Sequence, residues 1–172
     1  GMLSSPFRSR FGTIFLLDFY SNENVVEILR RSARLLGVTI EPEALQKIAL
    51  ASRFTPRVAN RLLKRARDYA QVRGQGIINE AVAQKTLELL EVDHEGLEPM
   101  DRKILQTIIR NFSGGPVGLQ ALAAATLQEE ETIEEIYEPY LLRLGFVERT
   151  SRGRVATKRA YDHLHQHNPH LI

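Results

Sequence analysis

The sequence lacks cysteine, a long apolar run and an export signal. Without cysteine among its 172 residues, the chain can form no disulfide framework, no thiolate zinc site and no thiol nucleophile. No stretch of about 18 apolar residues is present to span a bilayer, and the N-terminus shows no signal-peptide pattern. With an ordinary share of hydrophobic and charged residues, these absences predict a globular protein of the reducing cytoplasm.

The familiar motifs of enzymes are also missing. The sequence contains no GxxxxGK(S/T) phosphate loop, no paired carboxylates and no Ser-His-Asp arrangement. Histidines cluster near the C-terminus, but a spacing of two does not match one helical face, and tail histidines are usually solvated. These are His163, His165, His167 and His170. We therefore expect no metal site, and no catalysis by this chain alone.

Charge is distributed unevenly along the chain. The formal net charge is only +2, yet residues 53–73 carry seven basic side chains and one acidic one. Residues 143–159 hold six basic side chains and one acidic one, whereas residues 129–138 hold six acidic ones. Because local basic clusters rather than net charge mark polyanion contacts, both basic clusters are candidate phosphate or nucleic-acid sites.

The first part of the chain predicts one strand followed by a bundle of four helices. The apolar, β-rich run 13–20 favours a buried strand, and a lone strand indicates the last piece of a larger domain. Helical periodicity and cap residues such as Ser21 and Asn79 predict a small bundle over residues 21–92. Its helices are expected at 22–37, 41–53, 56–74 and 80–92. The apolar face of the first helix is assigned to Val25, Ile28, Leu29, Leu35 and Leu36.

A second unit is predicted beyond a polar linker at residues 93–98, which contain glycine and lack an apolar period. Helical patterns follow at 99–112, 119–127 and 129–145, two short β-rich runs flank the sequence SRGR, and a helical pattern resumes at residue 158. Three helices, a hairpin and a final helix are the order of a winged-helix domain, which we assign to residues 99–172.

The predicted hairpin gathers arginines at a turn that can project from the domain. Arg149, Arg152 and Arg154 are candidate DNA contacts, because such an arm lays positive charge along a phosphate backbone. Gly153 is expected to let the hairpin tip turn. The alternative is a solvated turn whose arginines serve solubility. The preceding helix starts with acidic residues that would repel phosphates, so binding through the wing should depend little on sequence.

Two other charged surfaces each have a structural and a functional interpretation. The acidic start of the helix at 129–145 can stabilise that helix through its dipole or contact another protein. The basic helix that begins at Pro56 places Arg57 in its first turn, where the dipole and a formal charge together favour a phosphate group. An exposed helix surface is the simpler interpretation of the basic run.

Several motifs together resemble the RuvB family of bacterial Holliday-junction branch-migration motors. The resemblance covers nearly the whole chain and is carried by SPFRSRFG, FTPRVANRLLKRARDYAQVRG, GGPVGL, EPYL and RTSRGRVAT. The combination of GGPVGL with EPYL and the wing sequence is very specific. One departure is Phe54, which stands where the family more usually has glycine, and it leaves the geometry of this loop open.

The resemblance implies a mainly α fold in three parts. Residues 1–20 would end an AAA+ ATPase domain whose Walker segments lie outside this sequence. Residues 21–92 would form the helical lid, and residues 99–172 the winged-helix head beyond the linker. The whole protein would be an ATP-dependent DNA helicase that binds ATP and Mg and acts as a hexamer, whereas this part alone would hydrolyse no ATP.

The resemblance also assigns individual residues. The arginine finger falls on Arg10, which would reach the γ-phosphate bound by a neighbouring subunit, so that hydrolysis depends on assembly. Arg57 corresponds to the lid arginine that senses nucleotide, and Tyr20 falls near the adenine. The wing would contact DNA through Arg149 and Arg152, with Arg154 as a further contact. The implied partners are Holliday-junction DNA, the junction-binding protein RuvA and the resolvase RuvC.

Two alternative functions belong to other classes. One is a stand-alone winged-helix regulator with an appended helical bundle, and the other is the lid and winged helix of an origin-recognition or clamp-loader AAA+ protein. SPFRSRFG disfavours the regulator, which has no need of a finger motif ahead of a lone strand. GGPVGL and the wing sequence disfavour the other AAA+ classes.

Overall fold

The computed structural model describes residues 18–73 and 76–165, together with residues 10, 11, 13 and 15. Helices dominate, and two short two-stranded sheets complete the fold, which confirms the mainly α fold class. Within the described ranges, no helix has both the length and the apolar character required to cross a membrane. Of the four C-terminal histidines, His167 and His170 lie outside the described residues.

The first four helices pack around one apolar core. They are α1 (Asn22–Leu35), α2 (Pro42–Leu50), α3 (Pro56–Arg73) and α4 (Glu80–Leu89). Two short strands, β1 (Thr39–Ile40) and β2 (Ile77–Ile78), pair in parallel between them. The side chains of Ser21 and Asn79 accept hydrogen bonds from backbone amides at the starts of α1 and α4, which confirms both predicted caps.

Two local predictions in this bundle are wrong. Leu35 is 79% exposed, because the buried face of α1 runs instead through Val25, Val26, Leu29 and Ala33. Helix α2 ends at Leu50 rather than at residue 53, because the chain turns sharply there into a loop with two positive φ angles.

The predicted strand over 13–20 is also wrong for the residues described there. Positions 13, 15 and 18–20 carry no strand, and Phe15 is 82% exposed. A strand is stable only when its backbone amides and carbonyls are paired with a neighbour. Among the described residues, no other strand lies beside this segment to provide that pairing.

The second half of the chain forms a separate core with the predicted order of helices and hairpin. The helices are α5 (Pro99–Asn111), α6 (Leu119–Thr126), α7 (Glu130–Thr132), α8 (Glu138–Arg143) and α9 (Lys158–His163). Strands β3 (Val147–Thr150) and β4 (Gly153–Ala156) pair in antiparallel around a two-residue tip, Ser151-Arg152, which confirms the hairpin.

The helix expected over 129–145 is interrupted by a π-helical turn at Ile133–Tyr137. The Glu138 amide donates to the Ile133 carbonyl, five residues back instead of four. The next residue, Pro139, has no amide hydrogen to continue the α-helical pattern at this point, which suits a local widening of the helix.

Residues 93–98, predicted as a polar linker, are tightly packed. Leu97 is fully buried in the core of the second half. The Asp93 carboxylate accepts hydrogen bonds from the amides of Glu95 and Leu97, and lies 2.9 Å from the imidazole of His163. His163 is therefore not the solvated tail residue that its position in the sequence indicated.

Gly153 has a role other than turning the hairpin tip. Val117 and Arg154 exchange two backbone hydrogen bonds of 2.9 and 2.8 Å, so the segment before α6 lies along β4 close to the hairpin tip. A methyl group on Gly153 would lie 2.2 Å from the Val117 carbonyl oxygen, and the φ of Gly153 is +134°. The glycine is needed for this close approach of two backbones.

We expect Gly153→Ala to destabilise the fold by about 2–4 kcal/mol, because the added methyl group meets backbone and the φ angle is unfavourable for alanine. Chemical denaturation measures the loss. The matched control is Gly118→Ala, whose φ is −70° and whose methyl group would meet nothing within 4 Å. A loss for Gly153→Ala no larger than for this control would contradict the assigned role.

Candidate nucleotide and DNA sites

Two of the three residues predicted to serve a nucleotide lie at one corner of the helical bundle. The Tyr20 amide donates a hydrogen bond of 3.3 Å to the carbonyl of Phe54. Phe54 precedes by three residues Arg57, which lies in the first turn of α3. The side chains of Tyr20 and Arg57 are both exposed. We call Tyr20, Phe54 and Arg57 the nucleotide corner.

Arg10, the third predicted residue, lies in an exposed turn. Within the part of the chain that the structure describes, no hydrogen bond or ion pair joins it to the nucleotide corner. The prediction does not require such a contact, because an arginine finger acts on the nucleotide of a neighbouring subunit.

The basic run on α3 lines a shallow groove with partly neutralised charge. The groove is lined by Arg57, Asn60, Arg61, Lys64, Arg65, Arg67 and Asp68. Asp68 pairs with Arg67 at 2.7 Å, and Glu98 pairs with Arg61. These two acids offset part of the positive charge of the run beyond Arg57.

The loop before α3 joins the two halves of the molecule through a buried ion pair. The Arg53 guanidinium lies 2.6 Å from the Asp101 carboxylate, which is fully buried in the first turn of α5. The same guanidinium lies 4.5 Å from the centre of the Tyr140 ring. The Tyr140 hydroxyl in turn donates a hydrogen bond to the Glu95 carbonyl.

Phe54 adopts the backbone conformation that a glycine would take at its position. Its φ is +54°, which costs a residue with a side chain about 1–2 kcal/mol. Its ring lies 6.3 Å from the Tyr140 ring and 4.6 Å from the Arg143 guanidinium. These contacts with the second half of the chain offset the strain.

Two of the three wing arginines, Arg149 and Arg154, converge on one glutamate. Glu138 is 3% exposed, and its carboxylate accepts hydrogen bonds from Arg149 at 2.9 Å and from two nitrogens of Arg154 at 3.0 and 2.9 Å. Burial alone would raise the pKa of Glu138, but the hydrogen bonds from the two arginines outweigh it and lower that pKa. The buried, ionised Glu138 therefore joins the hairpin to α8.

The three candidate DNA contacts differ in accessibility. Arg152 at the hairpin tip is exposed, and in the described part of the chain it forms no ion pair. Arg149 is half-exposed and also pairs with Glu134 at 3.1 Å. The Arg154 side chain is only 12% exposed and is occupied by Glu138, so it is the least accessible of the three.

Sequence reasoning missed the acidic partners at both sites. Asp101 lies in the first turn of α5, in the motif EPMD, and Glu138 begins α8, in the motif EPYL. Each is buried against an arginine from another element of the fold. The available signal was an acidic residue in a position of the helical pattern that faces the core. Periodicity alone does not say which arginine will meet it.

A small helical bundle joined to a winged-helix domain is the architecture of the lid and winged-helix parts of an AAA+ protein. Two family models match successive parts of the chain, the RuvB AAA lid domain at residues 20–93 and the RuvB C-terminal winged helix domain at residues 94–165. The chain belongs to the RuvB family.

Curated and solved relatives agree with this assignment. The Holliday junction branch migration complex subunit RuvB of Dehalococcoides mccartyi is 59% identical over 163 residues, which are 95% of this chain and 47% of the relative. The protein of the same name from Solibacter usitatus is 56% identical with the same coverage. The structure of the Thermotoga maritima RuvB Holliday junction branch migration motor matches with a TM-score of 0.94 at 53% identity, over 97% of this chain and 56% of that one. The chain thus spans about half the length of the curated relatives it matches.

The Arg53–Asp101 pair is expected to make the stability of the fold depend on pH. Burial raises the pKa of Asp101, against the opposing effect of Arg53. A raised carboxyl pKa means that the folded state holds its proton more tightly, so the stability from this group is greatest at low pH and declines as pH rises through the pKa. Arg53→Met removes the opposing charge, raises the pKa further and leaves a buried, unpaired carboxylate.

We therefore expect Arg53→Met to cost about 3–5 kcal/mol near neutral pH and distinctly less at acidic pH, below the raised pKa of Asp101, where this carboxyl is protonated. Urea denaturation at several pH values measures this difference. The matched control is Arg61→Met, whose pair with Glu98 is largely exposed, so that it should cost less than about 1 kcal/mol at either pH. A penalty for Arg53→Met that does not change with pH would refute the account.

Proposed function

We propose that the whole protein is an ATP-dependent DNA helicase that drives branch migration of Holliday junctions in recombination and repair. The observation that carries the proposal is the joining of an exposed lid arginine, Arg57, to a winged-helix domain whose hairpin tip presents Arg152. The relatives named RuvB support this assignment through both domains. Family membership argues against a stand-alone regulator.

Within this proposal, the chain divides into a remnant of the ATPase domain at 1–20, a lid at 21–92, a connection at 93–98 and a head at 99–172. The protein would act in the cytoplasm as a homohexameric ring on Holliday-junction DNA, with RuvA and RuvC as partners. The packed connection and the Arg53–Asp101 pair support a head that follows the lid as it moves.

The nucleotide corner fits ATP at one end of the molecule. Arg57 would contact the phosphates at the positive end of α3, and the exposed Tyr20 ring would lie beside the adenine. By resemblance to the family, Mg would be held with the phosphates by the ATPase domain. ATP supplies the free energy for movement, and Arg10 would stabilise the charge that develops during hydrolysis in the neighbouring subunit.

The head would hold DNA through phosphate contacts rather than base contacts. Arg152 is the leading candidate because it is exposed and free of an acidic partner in the described part of the chain, and Arg149 follows. Arg154 would support the wing through Glu138 more than it would reach a phosphate. Contacts of this kind suit a motor that must move over every sequence.

The arginine finger is tested by mixing subunits of the full-length protein. Arg10→Ala should reduce ATP hydrolysis by about 10³-fold or more, because the transition state loses a charge supplied in trans. Mixing these subunits with subunits that carry an intact Arg10 and a defective phosphate loop should restore part of the activity. Hydrolysis by Arg10→Ala alone at the unmodified rate would exclude the role. The chain described here is expected to hydrolyse no ATP by itself.

The wing is tested by the salt dependence of DNA binding. Arg152→Ala should weaken binding to branched and duplex DNA alike and lower the slope of log affinity against log salt by about 1, since one phosphate contact is lost. Adding Arg149→Ala should bring the total reduction to about 2. Fluorescence anisotropy at several salt concentrations provides the slopes.

The matched control for the wing is Arg31→Ala, which removes an exposed arginine from α1 and should change neither affinity nor slope. Glu134→Gln should have the opposite effect to the wing variants, because it releases Arg149 from one acidic partner. Unchanged affinity and slope for the double wing variant at low salt would show that DNA binds elsewhere.

A further inference from the structure

Arg143, at the end of α8 in the winged-helix domain, contacts two aromatic rings of the opposite half of the chain. Its guanidinium lies 4.8 Å from the centre of the Phe19 ring and 4.6 Å from the centre of the Phe54 ring. Such distances are typical of cation–π attraction, which is modest where the cation is exposed, as Arg143 is. One side chain of the head thus joins two segments that lie far apart in the sequence.

Both rings belong to segments that build the nucleotide corner. Phe19 directly precedes Tyr20, and the Tyr20 amide donates to the carbonyl of Phe54. Phe54 begins the short stretch that leads into Arg57. Arg143 therefore contacts the neighbours of the adenine residue and of the sensor arginine at once, although it contacts neither of those residues in the described structure.

The position of Phe54 depends on these contacts. Its positive φ is unfavourable for a phenylalanine and persists only where the surroundings compensate for it. The compensating contacts come from Arg143 and Tyr140, which both belong to the head. Without Arg143, the Phe54 ring keeps its contact with Tyr140 but loses its contact with a guanidinium, and the Phe19 ring loses the same cation.

We propose that Arg143 is a positioning residue for the nucleotide site, holding Tyr20 and the start of α3 in the arrangement that binds ATP. The inference rests on the proposed roles of Tyr20 and Arg57. It implies that the state of the DNA-binding head influences nucleotide affinity, and by reciprocity that nucleotide influences the head.

The positioning role is tested first without any nucleotide. The chain contains no tryptophan, so Tyr20→Trp gives a single fluorescent reporter in the corner. Tyr20 is 46% exposed, so its release by Arg143→Ala should raise acrylamide quenching of the reporter by roughly twofold. Arg143→Lys keeps a cation near the rings and should restore most of the protection. Arg31→Ala, an exposed arginine of α1, serves as the control.

The second test uses the full-length protein and nucleotide. Arg143→Ala should raise the KM for ATP and the Kd for a non-hydrolysable analogue by about fivefold, with the effect on KM rather than on kcat, while Arg143→Lys should lie near the unmodified protein. Circular dichroism of each variant confirms that the fold is retained.

The outcomes separate this inference from the function on which it rests. If Arg57→Ala and Tyr20→Ala weaken nucleotide binding but Arg143→Ala changes neither the reporter nor the Kd, the positioning role is overturned. If Arg143→Ala changes the reporter while Arg57→Ala and Tyr20→Ala leave the Kd unaltered, the corner is not the nucleotide site and the proposed roles of those two residues fail. Fivefold weakening by Arg143→Ala with rescue by lysine supports both.

Discussion

The geometry of the molecule depends on one buried ion pair between Arg53 and Asp101. Asp101 is fully buried, and it also accepts a hydrogen bond of 2.7 Å from the Glu98 amide, so the same carboxylate caps α5 and receives the arginine. A buried carboxylate is tolerated only when such partners replace its water. Here the arginine comes from the other half of the chain, so the pair fixes the lid loop against the head.

The aromatic contacts around that loop follow from the same constraint. Once Arg53 is turned towards Asp101, the next residue, Phe54, lies with positive φ against Tyr140 and Arg143. The wing has a similar arrangement, because the buried carboxylate of Glu138 holds the side chains of Arg149 and Arg154 in place. In both places, a buried acid orders arginines near a surface proposed to bind phosphate.

Local features of the fold were predictable from the sequence, whereas the ion pairs of the buried Asp101 and Glu138 were not. The caps at Ser21 and Asn79 and the hairpin around SRGR depend on neighbours within a few residues, so pattern reasoning finds them. Arg53 and Asp101 are 48 residues apart, and nothing in either local pattern names the other. The prediction that Leu35 is buried is wrong for a related reason. Leucine can occur on more than one face of a helix, and the packing against neighbouring elements decides which face is buried.

The pairing of Val117 with β4 close to the hairpin tip has a mechanical consequence. Because that segment hydrogen-bonds to Arg154, and Gly153 admits it, the wing is braced almost to its end and only Ser151 and Arg152 extend beyond the last paired residues. A tip of two residues has little conformational entropy to lose on contact with a phosphate, so the entropic penalty of binding is small. Under the proposed function, this stiffness close to the tip would let Arg152 bind and release a phosphate without a change in the structure of the domain.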